Sequence, residues 1–209
     1  MQRKILIKGT LILTFTGIAT RLIGFFYRIF LSRSFGETAV GLYQLIFPVY
    51  ALAISLTSAG IQTAVSRSVA REHTLHRDEK CTCILYTGIG LSFLLSMITM
   101  YLLQHYNSAI AIHFLHEPRC MFSITAMSYA IPFASIHSCI CGYYLGLKQT
   151  RIPAFSQLIE QTTRVAFVGL LFTVFTRNGS HVNVALAVAG LAAGEFFSMS
   201  YSLYILRSK

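Results

Sequence analysis

Residues 20–32 read TRLIGFFYRIFLS, an apolar stretch that carries two arginines, Arg21 and Arg28. It lies inside a run that is apolar from about Ile5 to Leu31, long enough for a membrane crossing, which needs about 20 residues. A charge at mid-membrane costs about 2.5–3.5 kcal/mol on insertion scales, so these two arginines should not face lipid. On a helix of about 3.6 residues per turn, Thr10, Thr14, Gly17, Arg21, Gly24 and Arg28 form one stripe of small, hydroxylic and cationic residues. Leu, Ile and Phe fill most of the remaining surface. The stripe is expected to meet protein or a hydrated cavity. For Arg28, near the end of the run, snorkelling to the headgroups is the competing explanation. For the deeper Arg21 it is a buried ion pair.

The rest of the chain places this run in context. Of 209 residues, 55% are hydrophobic and 11% charged, with a mean hydropathy of +0.62. A soluble domain carries about 25% charged residues and polar faces on its helices. Six long segments here lack a continuous polar face. They place spans at 5–31, 40–65, 82–103, 122–147, 153–175 and 182–206, the pattern of an all-α integral membrane protein with one six-helix lobe. Barrel strands are about ten residues long and alternate in polarity, which these runs do not.

The net charge of +10 reports topology. The N-terminus, the second and fourth loops and the tail hold eleven basic residues: Arg3, Lys4, Lys8, Arg67, Arg71, Arg77, Lys80, Lys148, Arg151, Arg207 and Lys209. The opposite side holds three, Arg33, Arg119 and Arg177. Cytoplasmic loops carry the excess of Lys and Arg, so both termini are expected in the cytoplasm of a multi-pass cell-membrane protein. No basic stripe is left over for nucleic acid. The basic, apolar N-terminus lacks a small-residue cleavage site and reads as an uncleaved first helix.

Further polar residues recur inside the spans. On the second, Gln44, Pro48, Ala51, Ser55, Ser58 and Gln62 share a face, so Gln44, Ser55 and Gln62 are expected to line a hydrated substrate cavity together with Arg21 and Arg28, and Pro48 is expected to kink the helix because it lacks an N–H. On the fifth, Glu160 and Arg164 stand four apart with the acid first, the favourable order for an intrahelical pair. On the sixth, Glu195 follows Gly190 and Gly194, a G-x-x-x-G face for close helix contact. Glu195 has no basic neighbour in its own helix. It must pair with Arg21 or Arg164, or hold a proton, and it is equally a candidate for proton or cation coupling. Gly17 and Gly24 read as packing positions on the first helix.

Other chemistry is not indicated. The pairs Cys81/Cys83 and Cys139/Cys141 have no second half for a zinc site, and no metal or cofactor is expected. His105, His113 and His116 are irregularly spaced in the segment 104–121, which reads as a wet outward loop. The sequence contains no nucleophile elbow, Walker loop or HExxH, so no enzyme is expected. Arginine on a cavity face suits phosphate, because its planar fork donates two parallel hydrogen bonds.

Two blocks carry a resemblance. The run KGTLILTFTGIATRLIGFFYRIFLSRSFGETAVGLYQLIFPVYALAISLTSAGIQTAVSRSVARE, residues 8–72, and GYYLGLKQTRIPAFSQLIEQTTRV, residues 142–165, resemble the stage V sporulation protein B and polysaccharide biosynthesis flippases. That family belongs to the multidrug/oligosaccharidyl-lipid/polysaccharide exporter superfamily, with the lipid II flippases. The resemblance implies the N-terminal lobe of a MATE-like transporter that moves polyprenyl-linked oligosaccharide or peptidoglycan precursors, in cell-wall or spore formation. It places Arg21 and Arg28 at cavity arginines, and puts Gln62 where a proline is usual. Members have two pseudo-symmetric halves, so this lobe is expected to need a second polypeptide or a second copy, or else to come from a truncated gene. A cation-coupled multidrug exporter and a non-transporting membrane scaffold are the alternatives.

Overall fold

The computed structural model describes residues 2–177 and 184–208, with side chains from residue 7 onward. The expected start of the sixth span at Val182 and the tail residue Lys209 lie outside the described residues. So do the side chains of Arg3, Lys4 and Ile5. Among the described residues there is helix and no strand. The helices are α1 (Gln2–Phe35), α2 (Glu37–Ile54), α3 (Gly60–Thr74), α4 (Asp78–His105), the single turn α5 (Asn107–Ala109), α6 (Cys120–Ser128), α7 (Ala130–Gly146), α8 (Arg151–Arg177) and α9 (Val184–Arg207). A π turn, Ser55–Ala59, joins α2 to α3, and a second covers Ile110–Phe114.

Among the described residues, five stretches are long and apolar enough to cross a membrane: Ile7–Phe35, Glu37–Thr74, Asp78–His105, Arg151–Arg177 and Val184–Arg207. The sixth is the pair α6 and α7, bent by 40°. The expected single helix over 122–147 is therefore two. Pro132 explains the break, since it has no N–H for the carbonyl of Ser128, the last residue of α6. Pro48 behaves differently. α2 runs through it without a break, and the departure from α geometry comes at the π turn. There the Thr57 hydroxyl donates to the carbonyl of Ala53 at 2.9 Å, competing with the backbone ladder, as buried Thr hydroxyls do.

α7 is the central element. Twelve of its seventeen residues are buried, against α3, α4 and α9. Glycine sets the distances. A Cβ built on Gly142 would lie 2.7 Å from the carbonyl oxygen of Gln62, and one on Gly146 2.7 Å from that of Ser66, so α3 rests on the α7 backbone. α9 rests on α8 in the same way. A Cβ on Gly194 would stand 2.8 Å from the Glu160 carbonyl oxygen, and one on Gly190 would overlap Val168. Gly17 and Gly24, expected to pack, have open space around them, because that face of α1 meets no helix.

α1 lies at the margin, beside α2 and α8. Gly9 abuts Thr150 at one end and Phe30 stacks edge-on with Phe172 at the other, so α1 and α8 run parallel. That sense is the one required if α6 and α7 together make one crossing. The segment 104–121 is not a plain wet loop. Ala111 and Cys120 are fully buried, because Ile110, Ala111 and Leu115 are apolar and pack into the cluster formed by α2, α6 and α9. Its histidines stay exposed.

These contacts make opposite predictions for glycines that look alike in sequence. Gly194→Ala must push α9 from α8 and should lower stability in detergent by about 1–3 kcal/mol. Gly17→Ala meets nothing and should be neutral or stabilising, by up to about 1 kcal/mol. Thermal melts of the two purified variants compare them directly.

Candidate functional site

The stripe on α1 opens onto a cleft of about 610 Å³ between α1, α2 and α8, within the size range of small-molecule sites. α1 contributes Thr20, Arg21, Gly24 and Arg28, α2 contributes Tyr43, Gln44, Phe47 and Pro48, and α8 contributes Gln161 and Arg164. Of the arginines, Arg21, Arg28 and Arg164 lie within expected spans, and all three line this cleft; the one lysine in a span, Lys8, sits near the N-terminal end of the first and lies outside it. Arg21 and Arg28 are exposed to it, about 10 Å apart along the helix axis. Among the described residues neither forms an ion pair. Arg164 forms the floor, 8% exposed, and its Nη2 donates to Glu160 Oε1 at 2.5 Å.

Not all the polar residues of the second span arrive there. Ser55 sits exposed in the π turn, outside the cleft. Gln62 lines a separate inner cavity of about 340 Å³ with His137, Gln157, Glu160 and Glu195. The polar side of α8 therefore spans two chambers: Gln157 and Glu160 face the inner cavity, and Gln161 and Arg164 the cleft.

Glu195 does not pair with Arg21 or Arg164. Arg21 lines the cleft whereas Glu195 lines the inner cavity, and Arg164 is held by Glu160. Instead Tyr50 Oη donates to Glu195 Oε1 at 2.9 Å, and His137 Nδ1 stands 3.7 Å from Oε2. His137 is buried, with its Nε2 against Ser156 Oγ and its Nδ1 3.2 Å from Ser198 Oγ. Donor atoms of His137, Glu160 and Glu195 lie within 4.8 Å of one another. That trio is the described group able to ligate a cation, and the guanidinium of Arg164 already supplies Glu160 with positive charge. Sequence alone did not single out His137 or Tyr50. For His137 a signal existed: an ionisable residue inside an apolar run is a functional candidate by default. For Tyr50 none did, since a tyrosine in an apolar helix reads as core.

The pairing is testable by a double-mutant cycle on detergent stability. Tyr50→Phe and Glu195→Gln should couple by about 0.5–3 kcal/mol, because they remove one shared hydrogen bond. Arg21→Gln and Glu195→Gln should be additive, as the two side chains do not meet.

The comparisons with known proteins agree with this architecture. The chain is 31% identical to stage V sporulation protein B of Bacillus subtilis (strain 168) over 209 residues, covering 100% of this chain and 40% of that protein. It is 28% identical over 202 residues to the lipid II flippase MurJ of the same organism, covering 90% of this chain and 36% of that one. The chain thus spans about two fifths of the length of these relatives. A crystal structure of a MATE in the straight conformation superposes with a TM-score of 0.82 at 11% identity, over 95% of this chain and 44% of that one, which is a likeness of fold. Residues 6–209 match the polysaccharide biosynthesis protein family, and the chain belongs to that family.

Proposed function

We propose that this chain is the N-terminal lobe of a flippase that translocates polyprenyl-linked saccharide precursors across the cytoplasmic membrane. The observation that carries the reading is the cleft: the three arginines within the spans converge on it, and two of them have no carboxylate partner among the described residues. In an apolar medium such cations require an anion, and a diphosphate linking a lipid tail to a sugar supplies one. The relatives support it, one being named as a lipid II flippase and the family being one of polysaccharide biosynthesis. The open cleft fits half of a cavity whose other wall comes from a second lobe, on the same or another polypeptide, with transport by rocking one lobe against the other. The chain acts as a transporter in this reading, with no catalytic step. An arginine-lined cleft disfavours a multidrug exporter for cationic compounds, which would meet like charge.

In this reading both termini face the cytoplasm, because the basic residues at the helix ends divide eleven to three. A cysteine at Ser108 in an otherwise cysteine-free protein should react with an impermeant reagent added to intact cells, and one at Thr74 should not. Labelling at Thr74 reverses the orientation.

The cleft is tested by binding of a polyprenyl diphosphate–sugar analogue to the chain, with its second lobe co-expressed. The double variant Arg21→Ala, Arg28→Ala should lose binding by at least about tenfold while keeping its melting temperature, since neither side chain is packed in the core. Arg21→Lys keeps the charge, loses the fork and should fall between. Unchanged binding by the folded double variant refutes the phosphate contact.

A further inference from the structure

One ion pair joins the two chambers. Arg164 lines the cleft beside Arg21 and Arg28, while its partner Glu160 lines the inner cavity beside His137 and Glu195. Only one of the contacts open to this guanidinium is made well: Nη2 donates to Glu160, and the buried Nε has no hydrogen-bond partner among the described residues. A guanidinium carries five N–H donors and leaving one buried and unmet is unfavourable, so Arg164 is poised to take a second acceptor. The cleft is where one can arrive.

The groups around the pair set the cost of breaking it. Facing it are Glu195 from α9, His137 and Cys141 from α7, Tyr43 and Tyr50 from α2, and Arg21, Tyr27 and Arg28 from α1. The inner cavity thus holds two carboxylates against one guanidinium, with a hydroxyl from Tyr50 and the ring of His137 on the second acid. If an anion in the cleft draws Arg164 away from Glu160, Glu160 loses its hydrogen-bonded cation and is left beside Glu195 without a counter-charge. Two acids whose donor atoms lie within 4.8 Å of each other and of His137 repel once that cation is gone, which favours a replacement charge. The smallest replacement is a proton from water, held on His137 or on a carboxyl.

We propose that Arg164 is a shared ligand that exchanges Glu160 for a phosphate group in the cleft, so that anion binding draws a proton into the His137–Glu160–Glu195 cluster. No bond to carbon or phosphorus changes; one proton passes from solvent to the cluster, and it leaves when Arg164 returns. Linkage makes the effect reciprocal: protonating the cluster frees Arg164 and tightens the anion. Arg164 is in this sense the residue through which the two chambers sense each other. The inference rests on the reading of the cleft as a phosphate site.

The test uses the full chain, co-expressed with its second lobe, in lipid nanodiscs and a farnesyl diphosphate–sugar diester, whose esterified phosphates do not titrate near neutral pH. Calorimetric titration in two buffers of different ionisation enthalpy counts protons taken up on binding. The wild-type chain should take up on the order of one proton per ligand, and its affinity should rise by up to about tenfold per pH unit as the pH falls. Glu160→Gln removes the negative charge that holds Arg164. It should bind more tightly than the wild type above neutral pH, with the proton uptake gone. Wild-type binding without proton uptake and without pH dependence overturns the exchange and leaves the phosphate cleft standing. Proton uptake that persists in folded Glu160→Gln overturns it as well, as does affinity that follows sodium in place of pH. No binding by the wild type overturns both readings.

Discussion

The approach of α9 to α8 at Gly190 and Gly194 is the constraint on which the polar interior depends. Between apolar helices in lipid there is no hydrophobic drive to associate, so contact must come from close backbone approach and interhelical hydrogen bonds. Gly194 supplies the first, its α-carbon lying close to the carbonyl of Glu160. Glu195, the next residue, supplies the second by accepting from Tyr50 on α2. The two are coupled through position. A side chain at residue 194 would move the helix that carries the acid, and Arg164, whose Nε passes 3.6 Å from where that Cβ would stand, would be displaced with it.

Once the helices are fixed, the sign of charge separates across a single bond. Both acids within the spans, Glu160 and Glu195, face the inner cavity, while the three arginines face the cleft. Glu160 and Arg164 are four residues apart on α8 and point into different chambers, joined at 2.5 Å. A pair buried on both sides and fully hydrogen-bonded would be a structural tether. This one has an unmet donor and an opening on each side, which is the arrangement expected of a contact that exchanges partners.

Much of this was legible in the sequence, and the remainder was not for a definite reason. Apolar run length and the distribution of Lys and Arg give the all-α membrane class, and helical periodicity groups Arg21, Gly24 and Arg28 on one face and Gln44 with Pro48 on another. Those are properties of one helix at a time. Which neighbour a face meets depends on the rotation and register of two helices, and there the sequence misleads. Glu195 found Tyr50 and His137 in place of an arginine. Gln62, on the same face as Gln44, is carried past the π turn to the inner cavity. Pro48, open to the cleft, leaves its helix continuous, whereas Pro132, buried in the centre of the lobe, coincides with a 40° bend.

The glycines of α1 show what a helix face can be for when it does not pack. Gly17 and Gly24 have nothing within 4 Å of a built Cβ, yet they alternate with Thr14, Arg21 and Arg28 along the stripe. Glycine costs roughly 0.5–1 kcal/mol against alanine in a helix interior, so two of them without a packing role need another explanation. Gly24 lines the cleft itself, between the two arginines. A side chain there would occupy the volume between the guanidinium groups and screen one from the other. Apart from Gly9, which abuts Thr150, the packing glycines, at 88, 142, 146, 190 and 194, lie on α4, α7 and α9, helices that do not line the cleft. The α1 stripe carries no packing glycine, while Gly190 and Gly194 of α9 hold the cleft's floor on α8 from behind. α1 can keep its charged face open because the fold does not depend on closing it.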